Sequence, residues 1–340
     1  MMSKPLPILD QMPWNVKRAI VNSSDNKIKT ELCRCSKELY QHVKVSKIDA
    51  GTFWCSLQCR GRSASLLLQH SKGRFVFYPT VNGCIKRKDG RADTVIEGGD
   101  FISAGVEQLM KVFKNQALHI ERLIIDFDYD PSSDGHKQYA SQIMEKLKEE
   151  LSKLTHQISV RQLHILNDYS PDQILTILRH IKPSRQFSLA ISPMGGVLLL
   201  PISDPATFSF SEIDLSKIAG TEQWKRAKDV ILSLFRVPID CPETMCIPSL
   251  WFNVPNLIVK DVKFIVENIT RIGGWRERTF TCQNVDESVM EYLGNFQVGQ
   301  REQGYDYEVP GVNGVPCYIY VRDWGRSGKK LWFQNDSRRT

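Results

Sequence analysis

The sequence predicts an α+β protein: a short helical module, then a small antiparallel β-meander, then an α/β strand–helix domain. Three observations predict it. Apolar residues recur at helical spacing at the N-terminus. From Gly51 to Arg91 the pattern becomes short runs bounded by Gly, Arg and Asn turns. From Asp100 onward, helical and strand patterns alternate. The expected divisions are residues 5–48, 49–98, 99–285 and a C-terminal helix and hairpin at 286–340.

In the first segment Met12, Val16 and Ile20 fall on one face, with Pro13 where a first helical turn tolerates it. After the polar break Asn22–Asn26, Ile28, Leu32, Cys35, Leu39 and Val43 form a second apolar face. A helix pair this small buries too little surface to stand alone, so its apolar face must meet the rest of the chain or another protein. The meander strands are expected at Thr52–Gln58, Ser65–Gln69, Phe75–Pro79 and Cys84–Lys88, with Asn82-Gly83 as a hairpin signal.

Further on, helices are expected at Ser103–Lys114, Lys137–Leu154, Ser170–Ile181, Thr221–Asp229, Lys260–Ile269 and Glu287–Leu293. Strands are expected at Ile120–Phe127, Ser159–Leu166, Gln186–Ile191, Val230–Phe235 and Arg278–Cys282, and a terminal hairpin at Cys317–Arg322 and Leu331–Gln334. Strand starts lie about 27 to 48 residues apart, which suggests stacked units with one curved parallel sheet, as in leucine-rich-repeat solenoids. A doubly wound α/β domain would give nearly the same string, and both readings stay open.

Composition narrows the function. Of 340 residues, 45 are Lys or Arg and 38 are Asp or Glu, a formal charge of +7 without a long charged run. The 41% apolar and 24% charged fractions are those of a folded chain and exclude wholesale disorder. No apolar run of about 18 residues exists, so no membrane span is expected, and the first residues lack a leader's apolar core. Nine cysteines, an odd number, then read as reduced thiols of a cytoplasmic or nuclear protein.

Chemistry-bearing constellations are weak. Cys33/Cys35, Cys55/Cys59 and Cys241/Cys246 do not have paired zinc-site spacing, and buried inert thiols explain them better. Asp126, Asp128, Asp130 and Asp134 cluster after a strand, but no partner His or nucleophile accompanies them. Gly325–Lys330 departs from a phosphate loop at both ends of the pattern. Arg60, Arg62, Lys72, Arg74, Lys86, Arg87, Lys88 and Arg91 interleave with Phe75, Phe77 and Tyr78, which keeps a single-strand nucleic-acid face as a disfavoured alternative to a solvated sheet face or a patch for an acidic protein partner. No catalytic residues, cofactor or metal are expected.

Two motifs carry a family resemblance. Met12-Pro13-Trp14-Asn15-Val16, Ile20, Leu32 and Cys35-Ser36-Lys37-Glu38-Leu39 resemble an F-box. Glu222-Gln223-Trp224-Lys225-Arg226-Ala227-Lys228, preceded by Ile213-Asp214-Leu215, resembles the hallmark of the FTH domain, which follows the F-box in a large nematode family of the F-box A type. Val160–Ile165 and Gln173–Leu178, ending at Ile181-Lys182-Pro183, fit that domain's strand and helix. The resemblance covers about residues 5–48 and 100–285. It implies a substrate-recognition subunit of a Skp–cullin–F-box ubiquitin ligase. The Skp adaptor would dock on Met12, Pro13, Val16, Ile20, Leu32 and Cys35, and an unknown protein target on the α/β domain. From spacing alone, the same six residues serve equally as the core of a helical cap. Trp224 is expected in the core, with Lys225 and Lys228 stems at its edge.

Overall fold

A computed structural model describes residues 12–24, 28, 31–32, 48–49, 51–60, 63–70, 73–89, 91–116, 118–128, 134–166, 170–193, 211–271, 275–301, 304–323 and 329–335. Helix α1 spans Trp14–Ser23. Strands β1 (Ile48–Asp49), β2 (Thr52–Arg60), β3 (Ser63–His70), β4 (Gly73–Thr80), β5 (Gly83–Lys88) and β6 (Thr94–Glu97) follow. Then come α2 (Phe101–Phe113), β7 (Leu118–Asp128), α3 (Asp134–Ser152), β8 (Ile158–Leu166), α4 (Pro171–Leu178) and β9 (Ile181–Ser192). The next elements are β10 (Ser211–Glu212), α5 (Ser216–Ala219), α6 (Glu222–Arg226), β11 (Asp229–Arg236), β12 (Ser249–Leu257), α7 (Val259–Thr270), β13 (Glu277–Val285) and α8 (Glu287–Gly294). Four strands complete the chain: β14 (Gln297–Arg301), β15 (Gly304–Pro310), β16 (Pro316–Asp323) and β17 (Lys329–Asn335).

All the described strands belong to one sheet. Its centre is parallel: β2, β7, β8, β9, β11, β12 and β13 lie side by side in chain order. That order does not reverse, as it would at the switch point of a doubly wound sheet. Antiparallel meanders extend both ends, β3 to β6 beyond β2, and β17, β16, β15 and β14 beyond β13. The sheet and its apolar core therefore run without a break across residues 98 and 285.

The helices lie next to one another in chain order, α2 on α3, α3 on α4, α4 on α5, α5 on α6, and α7 on α8. They cover the sheet face that carries Leu123, Ile125, Leu163, Ile165, Leu189 and Phe252. Period-two alternation puts the opposite residues of each strand on the other face. The fold is thus a mixed α/β arrangement with one large sheet and a helix layer. No described helix is long and apolar enough to cross a membrane.

Local signals explain the boundaries. Asp100 caps α2 by accepting the Ser103 N–H at 2.8 Å. Ser170 and Gln173 form a reciprocal capping box on α4, with Pro171 in its first turn. In the β4–β5 hairpin the turn residues are Val81 and Asn82, and Gly83 pairs with Thr80 at φ 151°; a Cβ there would meet the Ile96 carbonyl.

The structure corrects four expectations. Strand β12 occupies Ser249–Leu257, inside the longest gap between expected strands. Pro248, Pro255 and Asn253 obscured it, since prolines and Asn are depleted in strands. The C-terminal extension is a four-stranded meander rather than one hairpin. A further edge strand, β6, follows the first meander. The helix expected over Thr221–Asp229 is only α6, because Ala227 turns extended and Lys228 donates its N–H to the Phe187 carbonyl to enter the sheet.

Candidate functional site

The residues expected at an adaptor surface fall partly within the described chain. Helix α1 begins after Pro13, whose carbonyl accepts the Val16 and Lys17 N–H groups. It ends where the Ser23 and Ser24 hydroxyls bond the Ile20 carbonyl. Pro13 and Val16 are exposed, and Met12 and Ile20 are half-buried. Leu32 is buried, as is Val21, while Ile28 is exposed. Cys35 lies outside the described residues.

The second candidate is the sheet face opposite the helix layer, here the open face, on which Trp54, His164, Ile231, Trp251, Tyr320 and Trp332 are half-buried and Ile124, Ala190 and Thr279 are buried between them. Strand register aligns its side chains into rows. One row runs Trp54, Ile124, His164, Ala190, Ile231, Trp251. It continues through Thr279, Trp332, Tyr320 and Asp306. Trp251 and Trp332 stand two strands apart with the small Thr279 between them. That gap admits the Lys330 ammonium, 4.2 Å from the Trp251 ring centroid and 4.5 Å from that of Trp332. Burial, and secondarily the Arg322 charge, lowers the Lys330 pKa. Trp251 Nε1 donates to Thr281 Oγ1 at 3.3 Å, which orients the indole.

Beyond Trp332 the face deepens into a groove of about 470 Å³, with Tyr318, Tyr320, Trp332 and Gln334 as floor and Asp306 and Glu308 at one side. A larger hollow of about 880 Å³ lies at the carboxyl ends of β11 and β12, where Glu212, Arg236, Asp240, Lys260, Asp261 and Phe264 line it. These surfaces can bind and orient a partner.

The sequence-level constellations resolve differently. Asp126 is buried beside Cys55, whose thiol is pushed up to about 12 by burial and then by that carboxylate. The Asp128 and Asp134 side chains and all of Asp130 lie outside the description. Among the described residues no group of three or more His, Cys, Asp or Glu could hold a metal ion. In the first meander the rings already carry the strand's own cations: Lys86 and Lys88 lie over Phe75, and Arg87 lies over Tyr78 while pairing with Asp93 at 2.8 Å. Phe77 is buried, so it is not available for stacking with a base. Cys55, Cys84, Cys282 and Cys317 are buried thiols, and Cys246 is exposed.

Trp224 is fully buried, and its Nε1 donates to the Glu243 carbonyl at 2.8 Å. Its neighbour Gln223, also buried, donates from Nε2 to the Ile181 carbonyl at 2.6 Å. The Glu-Gln-Trp-Lys motif thus joins the start of β9 to the loop between β11 and β12. Residues 141–293 match the FTH domain. The chain carries that domain from within α3 to α8, so it spans all the described parallel strands after β7. No curated protein and no solved structure matches the chain.

The open-face residues Trp251, Tyr318, Tyr320, Lys330 and Trp332 were missed from sequence. Alternation in Cys317–Val321, where Cys317, Ile319 and Val321 face the core, was the available signal.

Proposed function

We propose that the protein is a substrate-recognition adaptor of a Skp–cullin–F-box ubiquitin ligase. Residues 5–48 would dock the Skp adaptor, and the strand–helix domain would hold a target protein. The observation that carries this reading is the FTH domain at residues 141–293, a domain commonly linked to F-box proteins. The exposed Pro13 and Val16 suit docking, because an apolar helix face open to solvent is stabilised when a partner covers it. Such a protein performs no chemistry of its own. Holding target and charged ubiquitin carrier in one assembly raises the effective concentration of the reacting lysine.

The sequential parallel strands and single helix layer favour a leucine-rich-repeat-like stack, whose open face serves as the target surface. An interaction module with no ligase role would share that face and ignore the adaptor. Purified Skp adaptor separates the two. Wild-type protein is expected to capture it, and Val16→Asp with Ile20→Asp to abolish capture while the sheet domain keeps its melting behaviour. Capture undiminished in the double variant removes the ligase reading.

A further inference from the structure

The first meander carries a cluster of like charges on the helix side of the sheet. Helix α2 packs on β3, β4 and β5. Lys86 and Lys88 stand two residues apart on β5, and so on one face, opposite Phe77 and Phe75 of β4. Both ammonium groups lie over the half-buried Phe75 ring, 4.9 and 5.2 Å from its centroid. Lys86 Nζ also donates to Gln108 Oε1 at 3.0 Å, and the exposed Lys111 follows Gln108 by one helical turn. Three positive charges thus gather where α2 meets β5. Burial, and then the Lys111 and Lys88 charges, lowers the Lys86 pKa. Among the described residues no carboxylate lies within ion-pair distance of any of the three, including the exposed Asp89 and Glu107 nearby in the chain. Asp93 is held by Arg87 at 2.8 Å, and Glu97 alternates to the face opposite Thr94, the residue that pairs with Lys86.

We propose that this cluster docks an extended acidic segment of a partner protein through its Asp or Glu carboxylates. An arriving carboxylate relieves the repulsion among the three ammonium groups, so the site selects negative charge. Carboxylates at alternate positions of an extended segment repeat every ~7 Å, the same interval that separates Lys86 from Lys88 on β5. An ammonium is a compact point charge with several donors, and Lys86 gives only one of them to Gln108. Bases find no platform here, because Phe77 is buried and the Phe75 ring already carries two ammonium groups. An acidic protein segment therefore fits better than a single-stranded nucleic acid. The surface lies on the helix side of the sheet, away from the open face, and the inference stands whether or not the adaptor reading does.

The test uses the full chain and a labelled peptide, Gly-Glu-Ser-Glu-Ser-Glu-Gly, with its glutamine counterpart, in fluorescence anisotropy. At about 50 mM salt the acidic peptide is expected to bind at least about tenfold more tightly than the glutamine peptide, with the advantage shrinking as salt rises. Lys88→Gln with Lys111→Gln should abolish the preference at an unchanged melting temperature. Lys225→Gln with Lys260→Gln, an equal loss of charge at exposed positions elsewhere, should keep it. Lys88→Glu with Lys111→Glu should move the preference to a Gly-Lys-Ser-Lys-Ser-Lys-Gly peptide. Equal binding of the acidic and glutamine peptides, a preference that survives in Lys88→Gln with Lys111→Gln, or no binding of the acidic peptide up to about 1 mM would each overturn the assignment. Oligothymidine bound more tightly than the acidic peptide, and lost with the same two lysines, would overturn it in favour of nucleic acid.

Discussion

Trp224 Nε1 donates to the Glu243 carbonyl at 2.8 Å, and this bond ties helix α6 to a loop that has no regular partner strand. The same loop is held from the other side. Trp275 Nε1 donates to the Met245 carbonyl at 3.1 Å, and the buried Arg278 guanidinium donates to the Ile247 carbonyl at 2.9 Å. Three large side chains, from α6, from the turn before β13 and from β13 itself, thereby donate to carbonyls of this loop.

Trp224→Phe keeps most of the ring volume but leaves the Glu243 carbonyl with only the long Cys246 Sγ contact at 3.8 Å. The expected loss is roughly 1 kcal/mol of stability, since a half-buried acceptor then loses its strong donor. Urea denaturation measures it, and a midpoint equal to that of the wild type would show that water replaces the indole.

Arg278 should be harder to replace. It also donates to the Glu277 carbonyl at 2.9 Å and lies 3.8 Å over the Trp275 ring. Burial brings its pKa down to about 9, so it remains a cation at neutral pH. Arg278→Met is expected to cost about 3 kcal/mol or more, because the loop carbonyls lose a donor fan that no single-donor side chain supplies. Arg278→Lys should recover little of it. Thermal melts of the two variants side by side check both statements.

His164 makes stability depend on pH. Burial, and secondarily the Arg122 charge, lowers its pKa from 6.5 to about 4. The folded protein therefore holds the ring neutral where the unfolded chain would protonate it. The stability linked to this ring is complete above pH 6.5 and is lost as pH falls toward about 4, up to roughly 3 kcal/mol across that window. His164→Gln should flatten that part of the stability–pH curve. Parallel curves for wild type and variant would contradict it.

Thiol labelling should separate the described cysteines. Cys282 and Cys317 are pushed up to about 12, by burial first, and so present almost no thiolate at neutral pH. Cys246 is exposed. Mass spectrometry after brief alkylation of native protein should find Cys246 modified, and Cys282 and Cys317 only after unfolding.

Gly105 sits on α2 where an added Cβ would run into the Leu66 side chain of β3. Gly105→Ala gains helix propensity but must displace that leucine, and a net loss of about 1–2 kcal/mol is expected. A stabilised variant would mean that Leu66 moves aside without strain.

Much of this architecture was legible in the residues. Amphipathic spacing located α2, α3, α4 and α7 to within a few positions, and alternation located β7, β8 and β13. Those signals are local: a helix stripe or a strand face is written in neighbours three, four or two positions apart. The Trp224 motif likewise marked a core anchor, because a large aromatic on a short polar helix has little else to do. Strand β12 was not legible, since its prolines and Asn253 imitate a loop, and its place in the sheet comes from pairing with β11 and β13 on either side. The open-face groups were illegible for a related reason. Trp251 and Lys330 are far apart in the chain, and Asp306 meets Arg301 across a hairpin. Sequence alone determined which residues seek burial and at what spacing. Tertiary register alone decided which side chains became neighbours on the open face, because a shift of one residue in any strand would send a different set to that side.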